Sequence, residues 1–185
     1  MNHIAFLVRS VDAASAVARA AGLEVGARED FEGEGTAEVY VGGPGDSARL
    51  LLMESIGPGP YRRALEKRGP GLHHIAIDVA DVESFVGDLG GSGWLLHPRS
   101  LRTLKATRTA WLARPGARAL IEVQERAPVS AGPACVTQVT LPLSPQEKGM
   151  MAALGLVGVV TNGESPSITA GGRRIPIADL VGGGG

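Results

Sequence analysis

A short phrase recurs in this chain at a fixed offset, and the recurrence constrains the fold more than any other feature. Gly71-Leu72-His73-His74-Ile75-Ala76-Ile77-Asp78-Val79 is an apolar run with strand character, followed by an acidic helix start, Ala80-Asp81-Val82-Glu83. The N-terminus carries its twin, Asn2-His3-Ile4-Ala5-Phe6-Leu7-Val8, followed by Ser10-Val11-Asp12. His74 lies 74 − 3 = 71 positions after His3, and Ile75, Ala76, Val79 and Val82 follow Ile4, Ala5, Val8 and Val11 at the same spacing. Further along, Gly22 meets Gly93, Tyr40 meets Trp111 and Glu54 meets Glu125. A constant offset of this kind marks a repeated supersecondary unit. It also puts one histidine from each half into the same structural role.

Each copy reads as βαβββ. In the first, residues 3–8 form a strand and Val11 to Ala21 an Ala-rich helix stopped by Gly22. A second strand starts at Leu23-Glu24-Val25, and Arg28 to Gly35 reads as a polar, Gly-punctuated turn. Strands over 36–41 and 48–54 flank the hairpin turn Gly42-Gly43-Pro44-Gly45-Asp46. The second copy places strands at 74–79, 94–96, 107–112 and 119–124, a helix at 82–89, and a basic loop from Pro98 to Lys105. The expected organisation is therefore a first module over 1–57, a linker helix within 58–70, a second module over 71–127 and a C-terminal extension over 128–185. The extension holds a helix start, Ser144-Pro145-Gln146-Glu147, with Ser at the N-cap and Glu three residues on. Strand-like pieces surround it, so it reads as a partial third module that covers the first two, extends their sheet or builds a dimer contact. Gly182 to Gly185 reads as a frayed end.

Composition removes several classes of function. The chain has 185 residues and a net charge of −1, with no block of like charge. Nucleic acid and membrane surfaces are therefore poor partners. Its apolar runs are far below membrane-spanning length. No charged leader precedes the first strand, which predicts a cytoplasmic protein. Cys135 is the one cysteine and reads as a small buried apolar residue.

Alternate side chains share a face of a strand, so His3 groups with Ala5 and Leu7, and His74 with Ala76 and Asp78. Glu122 lies inside the apolar strand Leu120-Ile121-Glu122-Val123, where a carboxylate is costly unless paired or ligated. Two imidazoles and one carboxylate form a facial set that suits one divalent ion: Fe, and also Zn, Co, Ni or Mn. The alternative is that both histidines are satisfied structural residues.

Asn2-His3-Ile4-Ala5, Gly71-Leu72-His73-His74-Ile75-Ala76 and Ala119-Leu120-Ile121-Glu122-Val123 resemble the vicinal oxygen chelate superfamily, which includes glyoxalase I, methylmalonyl-CoA epimerase, extradiol dioxygenases and bleomycin-resistance proteins. The resemblance covers about residues 1–127. It implies an α+β fold in which tandem βαβββ modules build a cupped mixed sheet around a divalent metal. The family's ligand positions fall on His3, Leu51, His74 and Glu122. Leucine cannot ligate, so Leu51 would only line the site, and a three-ligand set remains, similar to that of the dioxygenases. Leu65-Glu66-Lys67-Arg68-Gly69-Pro70-Gly71-Leu72-His73-His74 is nevertheless similar to the inter-module link of methylmalonyl-CoA epimerase. Glu34-Gly35-Thr36-Ala37-Glu38-Val39 is similar to the stretch that holds its acid/base glutamate, with Glu38 in the matching place. Glu38 and Tyr40 share a face, and Thr107, Arg108 and Gln124 are candidate substrate-orienting groups. His73 is expected to point away from His74, and Trp94 and Trp111 to be core. Three functions stand: an epimerase or isomerase working through an enolate, an Fe(II) dioxygenase with a His-His-Glu triad, and a binding or resistance protein without chemistry. The expected partners are a small-molecule substrate, for which the basic segments would suit an anion, and a second copy in a homodimer.

Overall fold

The computed structural model describes residues 1–117, 119–127 and 132–182. The frayed end and the boundary at residue 128 expected from the sequence fall largely outside them. The first copy is β1 (His3–Val8), α1 (Val11–Ala20), β2 (Val25–Phe31), β3 (Thr36–Val41) and β4 (Arg49–Ser55). A helix, α2 (Pro60–Arg68), leads to the second: β5 (Gly71–Val79), α3 (Val82–Asp88), β6 (Leu95–Leu96), α4 (Ser100–Thr107), β7 (Thr109–Ala113) and β8 (Leu120–Glu125). All eight strands form one mixed sheet in the order β2-β3-β4-β1-β5-β8-β7-β6.

The centre of that sheet shows why the offset matters. β1 and β5 pair antiparallel within one chain, and Ile4 lies opposite its repeat mate Ile75. His3 faces Ala76, and reciprocally His74 faces Ala5. An approximate twofold axis therefore passes between the copies and carries the two histidines to one spot. The copies close the sheet within a single chain. Each first strand pairs in parallel with its last strand, β1 with β4 and β5 with β8. Glu54 and Glu125 are mates as well. Each accepts from the first backbone N–H of a helix, Val11 at 2.9 Å and Val82 at 3.1 Å, one of the donors a helix start leaves unsatisfied.

Strand alternation sorts the side chains into two layers. Ile4, Phe6, Val8, Leu50, Leu52, Ile75, Ile77, Ile121 and Val123 enter the main core beneath the helices. Ala5, Leu7, Leu51 and Met53 form a smaller cluster with Tyr61 of α2 on the opposite, open face.

The C-terminal unit contains β9 (Val136–Leu141), α5 (Pro145–Ala153), β10 (Val160–Asn162), β11 (Ser167–Ala170), β12 (Arg173–Pro176) and α6 (Ile177–Val181). The expected cap is present: Ser144 and Glu147 form a reciprocal capping box. The order of element types repeats βαβββ, but the strand order is β10-β9-β11-β12. Here the first strand pairs in parallel with the second strand rather than the last. Among the described residues, the unit's four strands form a sheet separate from the eight-stranded one. Val136, Val139, Met150 and Leu180 join the main core, α6 packs on α1, and Trp94 Nε1 donates to the Met150 carbonyl at 2.9 Å.

Two local readings are corrected. The polar turn placed at 28–35 is strand as far as Phe31, because β2 is a sheet edge. Its side chains are mostly exposed, and pairing with β3 from Arg28↔Val39 to Phe31↔Thr36 holds it without an apolar face. The basic loop at 98–105 is largely α4. Ser100 is fully buried there, accepts from Trp111 N–H at 2.7 Å and donates to the Trp111 carbonyl at 2.9 Å. That anchor, with Leu104 against the core, was hidden by the surrounding charge.

Candidate metal centre

The open face carries a cleft of about 200 Å³ whose walls include His3, Glu38, Tyr40, Leu51, His74, Trp111, Glu122 and Gln124. At its floor, His3 Nε2 and His74 Nε2 are 3.0 Å apart. A carboxylate oxygen of Glu122 lies 3.5 Å from His74 Nε2 and 3.9 Å from His3 Nε2. One donor atom from each of the three residues falls within 4.8 Å of the others. Ligands at about 2.1 Å from one ion, at right angles, stand roughly 3 Å apart. A small closure of the Glu122 side chain meets that requirement.

Electrostatics prepare these groups for a cation. Burial, helped by the charges of Arg49 and Arg126, holds His3 down at about 3. Burial first, then neighbouring His3 and His73, keeps His74 well below the usual imidazole value. Both rings are therefore neutral at pH 7, the state that ligates metal. Burial raises Glu122, opposed by a hydrogen bond from Gln124. The other oxygen-bearing end of that amide, Gln124 Oε1, is buried without a hydrogen-bond partner among the described residues. Two neutral imidazoles, a desolvated carboxylate and an orphaned amide oxygen fit a divalent ion.

Outer contacts hold both rings. His3 Nδ1 meets Asn2 Oδ1 at 2.7 Å, and Asn2 Nδ2 donates to both oxygens of Asp78 at 3.0 Å. His74 Nδ1 meets His73 Nδ1 at 2.9 Å. Asn2 and His73 are repeat mates, so each candidate ligand is held by the residue before it. His73 does not point away, as alternation implied. The pairing register skips from His74 to Leu72, which leaves His73 as the extra residue of a β-bulge. The bulge turns it toward Tyr61, whose ring centroid is 5.1 Å from its own. Burial lowers His73 to about 4.

Glu38 lines the cleft beside Tyr40. Burial raises its carboxyl, while the Thr36 hydroxyl donating at 3.1 Å acts against the rise. Leu51 and Gln124 also line the cleft, as alternation predicts. Thr107 and Arg108 do not. β7 begins at Thr109, two residues later than expected, and Arg108 caps α4 in the left-handed region with φ 52°. Its guanidinium is held by Glu125 at 2.7 Å and by Glu83. Trp111 is buried but not purely core: its ring meets His74 edge-on at 5.3 Å. In the sequence Arg99 is only one charge of a basic segment. It stands 5.1 Å over Trp111 and 3.9 Å from Glu34. From there it also lines a neighbouring groove of about 700 Å³ with Arg63 and Arg102.

A profile of the Glyoxalase/Bleomycin resistance protein/Dioxygenase superfamily matches residues 2–111. No curated protein matches the chain. Among solved structures, methylmalonyl-CoA epimerase from Mycobacterium tuberculosis is similar at 25% identity and a TM-score of 0.54, covering 69% of this chain and 87% of that one. A variant of the Streptomyces coelicolor epimerase in complex with 2-nitronate-propionyl-CoA is similar at 28% identity, with a TM-score of 0.53, over 71% of this chain and 96% of that one. A methylmalonyl-CoA epimerase in complex with methylmalonyl-CoA and NH4+ is similar at 28% identity and a TM-score of 0.53, over 72% and 97% of the two chains. Among the described residues, no helix is long and apolar enough to cross a membrane.

Proposed function

The chain belongs to the glyoxalase/bleomycin resistance protein/dioxygenase superfamily, and from that premise we propose a divalent-metal-dependent enzyme that moves a proton α to a carbonyl, as an epimerase or isomerase does. The observation that carries the reading is one cleft that holds the His3, His74 and Glu122 donor set and also Glu38, a separate half-buried carboxyl. In this reading His3, His74 and Glu122 hold the ion. Bound there, it supplies Lewis acidity toward a carbonyl oxygen of the substrate.

Glu38 is the general base. Partial burial raises its carboxyl, which strengthens it as a proton acceptor. Thr36 orients the carboxylate through its hydroxyl. Leu51 and Tyr40 shape the cleft and exclude water, and Gln124 orients the substrate with its unpartnered amide oxygen. The repeat mate of Glu38 is Thr109, so proton delivery on the opposite side of the substrate would fall to another group or to water. Arg63, Arg99 and Arg102 favour a substrate with an anionic portion in the outer groove. The epimerase neighbours make an acyl-CoA the first substrate class to try.

The test is exchange of the α-proton of methylmalonyl-CoA with deuterium from solvent, followed by NMR. Metal-loaded wild type is expected to exchange it. Glu38→Gln should slow exchange by about 10²–10⁴-fold and leave metal content unchanged. Absence of exchange with metal-loaded wild type would reject the acyl-CoA reading.

Leu51 supports a second reading. With leucine at the repeat mate of Glu122, the histidine and carboxylate donors found among the described residues are two His and one Glu, the set used by Fe(II) dioxygenases. Oxygen consumption by anaerobically iron-loaded protein with a catecholic or 2-oxo acid substrate would favour this reading over the first.

A further inference from the structure

We propose that Asp78 is a positioning residue that sets the tautomer of His3 through Asn2. The inference rests on the metal reading for its purpose, but its geometry stands in the metal-free chain. Asp78 lies on β5, 78 − 3 = 75 positions from His3, and does not touch it. Its side chain is only 2% exposed, and Arg126 lies 3.5 Å away. A carboxylate only accepts hydrogen bonds. The amide face that Asn2 turns toward Asp78 must therefore be its NH₂ group, and Nδ2 reaches both carboxylate oxygens at 3.0 Å. The carbonyl end of Asn2 is then left facing His3 Nδ1 at 2.7 Å. An amide oxygen only accepts, so His3 carries its hydrogen on Nδ1. Its Nε2 keeps the lone pair that points to the ion position.

The other histidine has no such anchor. Its Nδ1 meets His73, an imidazole that can donate or accept. This asymmetry fixes where the hydrogen lies in the metal-free protein. The 3.0 Å contact between His3 Nε2 and His74 Nε2 needs one hydrogen between two nitrogens. With His3 held as the Nδ1–H form, that hydrogen belongs to His74 Nε2. His74 Nδ1 then accepts from His73 Nδ1–H. With an ion on the Nε2 lone pairs, His74 would carry its hydrogen on Nδ1 and donate to His73, whose own hydrogen would shift from Nδ1 to Nε2. The three rings hold three ring hydrogens before and after, so no proton is released from them. His3 is the fixed ligand and His74 the adaptable one.

Long-range ¹H–¹⁵N NMR of the imidazoles reads the tautomers directly, without activity. In metal-free wild type, His3 is expected as Nδ1–H and His74 as Nε2–H. Added Zn²⁺ should shift His74 to Nδ1–H and leave His3 unchanged. Asp78→Asn supplies a side chain that can also donate, which lets Asn2 turn over. His3 should then lose its single tautomer, and Zn²⁺ affinity should fall on the order of tenfold. The exchanged pair Asn2→Asp with Asp78→Asn restores an acceptor beside His3 Nδ1 and a donor beside residue 2. It should recover both the tautomer and most of the affinity. If Asp78→Asn does not fold, the exchanged pair alone decides: an Nε2–H His3 there would overturn the proposal. An Nε2–H His3 in wild type, or an unchanged tautomer in folded Asp78→Asn, would overturn it as well. Correct tautomers without Zn²⁺ binding would instead leave this relay standing and reject the metal reading.

Discussion

Leu51 and Glu122 hold the same place in the two copies, each opposite an aromatic on the next strand, Tyr40 for one and Trp111 for the other. Their surroundings match closely, and their chemistry does not. The first copy contributes His3 to the candidate metal set and Glu38 as the separate carboxyl. The second contributes His74 and Glu122, and where the first extends β2 and turns at Glu32–Gly35, the second places α4. That helix follows Arg99 and carries Arg102 to the rim of the outer groove. The backbone repeat supplies symmetry, and the side chains divide the work. A symmetric frame can thus bring donors from three strands to one axis, after which each copy is free to lose or gain a single ligand.

The largest effects should come from removing that division. Glu122→Leu makes the second copy resemble the first, and Zn²⁺ affinity measured by competition with a chelator should fall by more than about a hundredfold, beyond the usual loss from an outer-shell change. Leu51→Glu makes the first copy resemble the second. Its carboxylate should reach the same axis and tighten binding on the order of tenfold. Weaker binding by Leu51→Glu in a folded protein would break the equivalence of the two positions.

Acid should separate the copies next. Burial lowers His3 to about 3 and His73 to about 4, and His74 lies well below the ordinary value. Between their ordinary value of 6.5 and these folded values, the unfolded chain binds protons that the folded chain refuses. Stability of the metal-free protein therefore rises with pH across this window and is lost as acid is added. Each histidine contributes a slope of up to about 1.4 kcal/mol per pH unit. Denaturant titrations at pH 6.5 and 4.5 should show the dependence. His3→Gln should remove one share of it, and His73→Gln with His74→Gln about two.

Smaller effects belong to the groove. Arg63→Ala with Arg102→Ala should raise KM for an anionic substrate up to about fivefold with kcat little changed, as expected for exposed charge contacts. The smallest is a symmetric control. Glu54→Gln and Glu125→Gln each weaken acceptance of a helix-start N–H, so each should lower Tm by a few degrees, Glu125→Gln slightly more because it also loses its ion pair with Arg108.

The sequence carried the repeat axis plainly, since an offset between identical apolar phrases survives any error in strand ends. His3, His74 and Glu122 follow from alternation and the offset, while Glu38 and Leu51 follow from the family resemblance, and all five line one cleft with Tyr40 and Gln124. Features that depend on a break in alternation could not be read in this way. The bulge at His73 and the late start of β7 each shift side chains to another face, which misplaced His73, Thr107 and Arg108. Ser100 and α4 were masked by charge, because one buried hydroxyl bonded to Trp111 outweighs a polar composition. The link from Asp78 on β5 to Asn2, just before β1, spans 76 positions and had no local signal.

Metal content most directly tests the central claim that the two copies share one ion. Untagged wild type and His74→Ala would be reconstituted anaerobically with Mn, Fe, Co, Ni and Zn in turn, then measured by elemental mass spectrometry after gel filtration. The account predicts about one equivalent of divalent ion per chain in wild type and none retained by a folded His74→Ala. Wild type that retains no ion under any of the five conditions would contradict it.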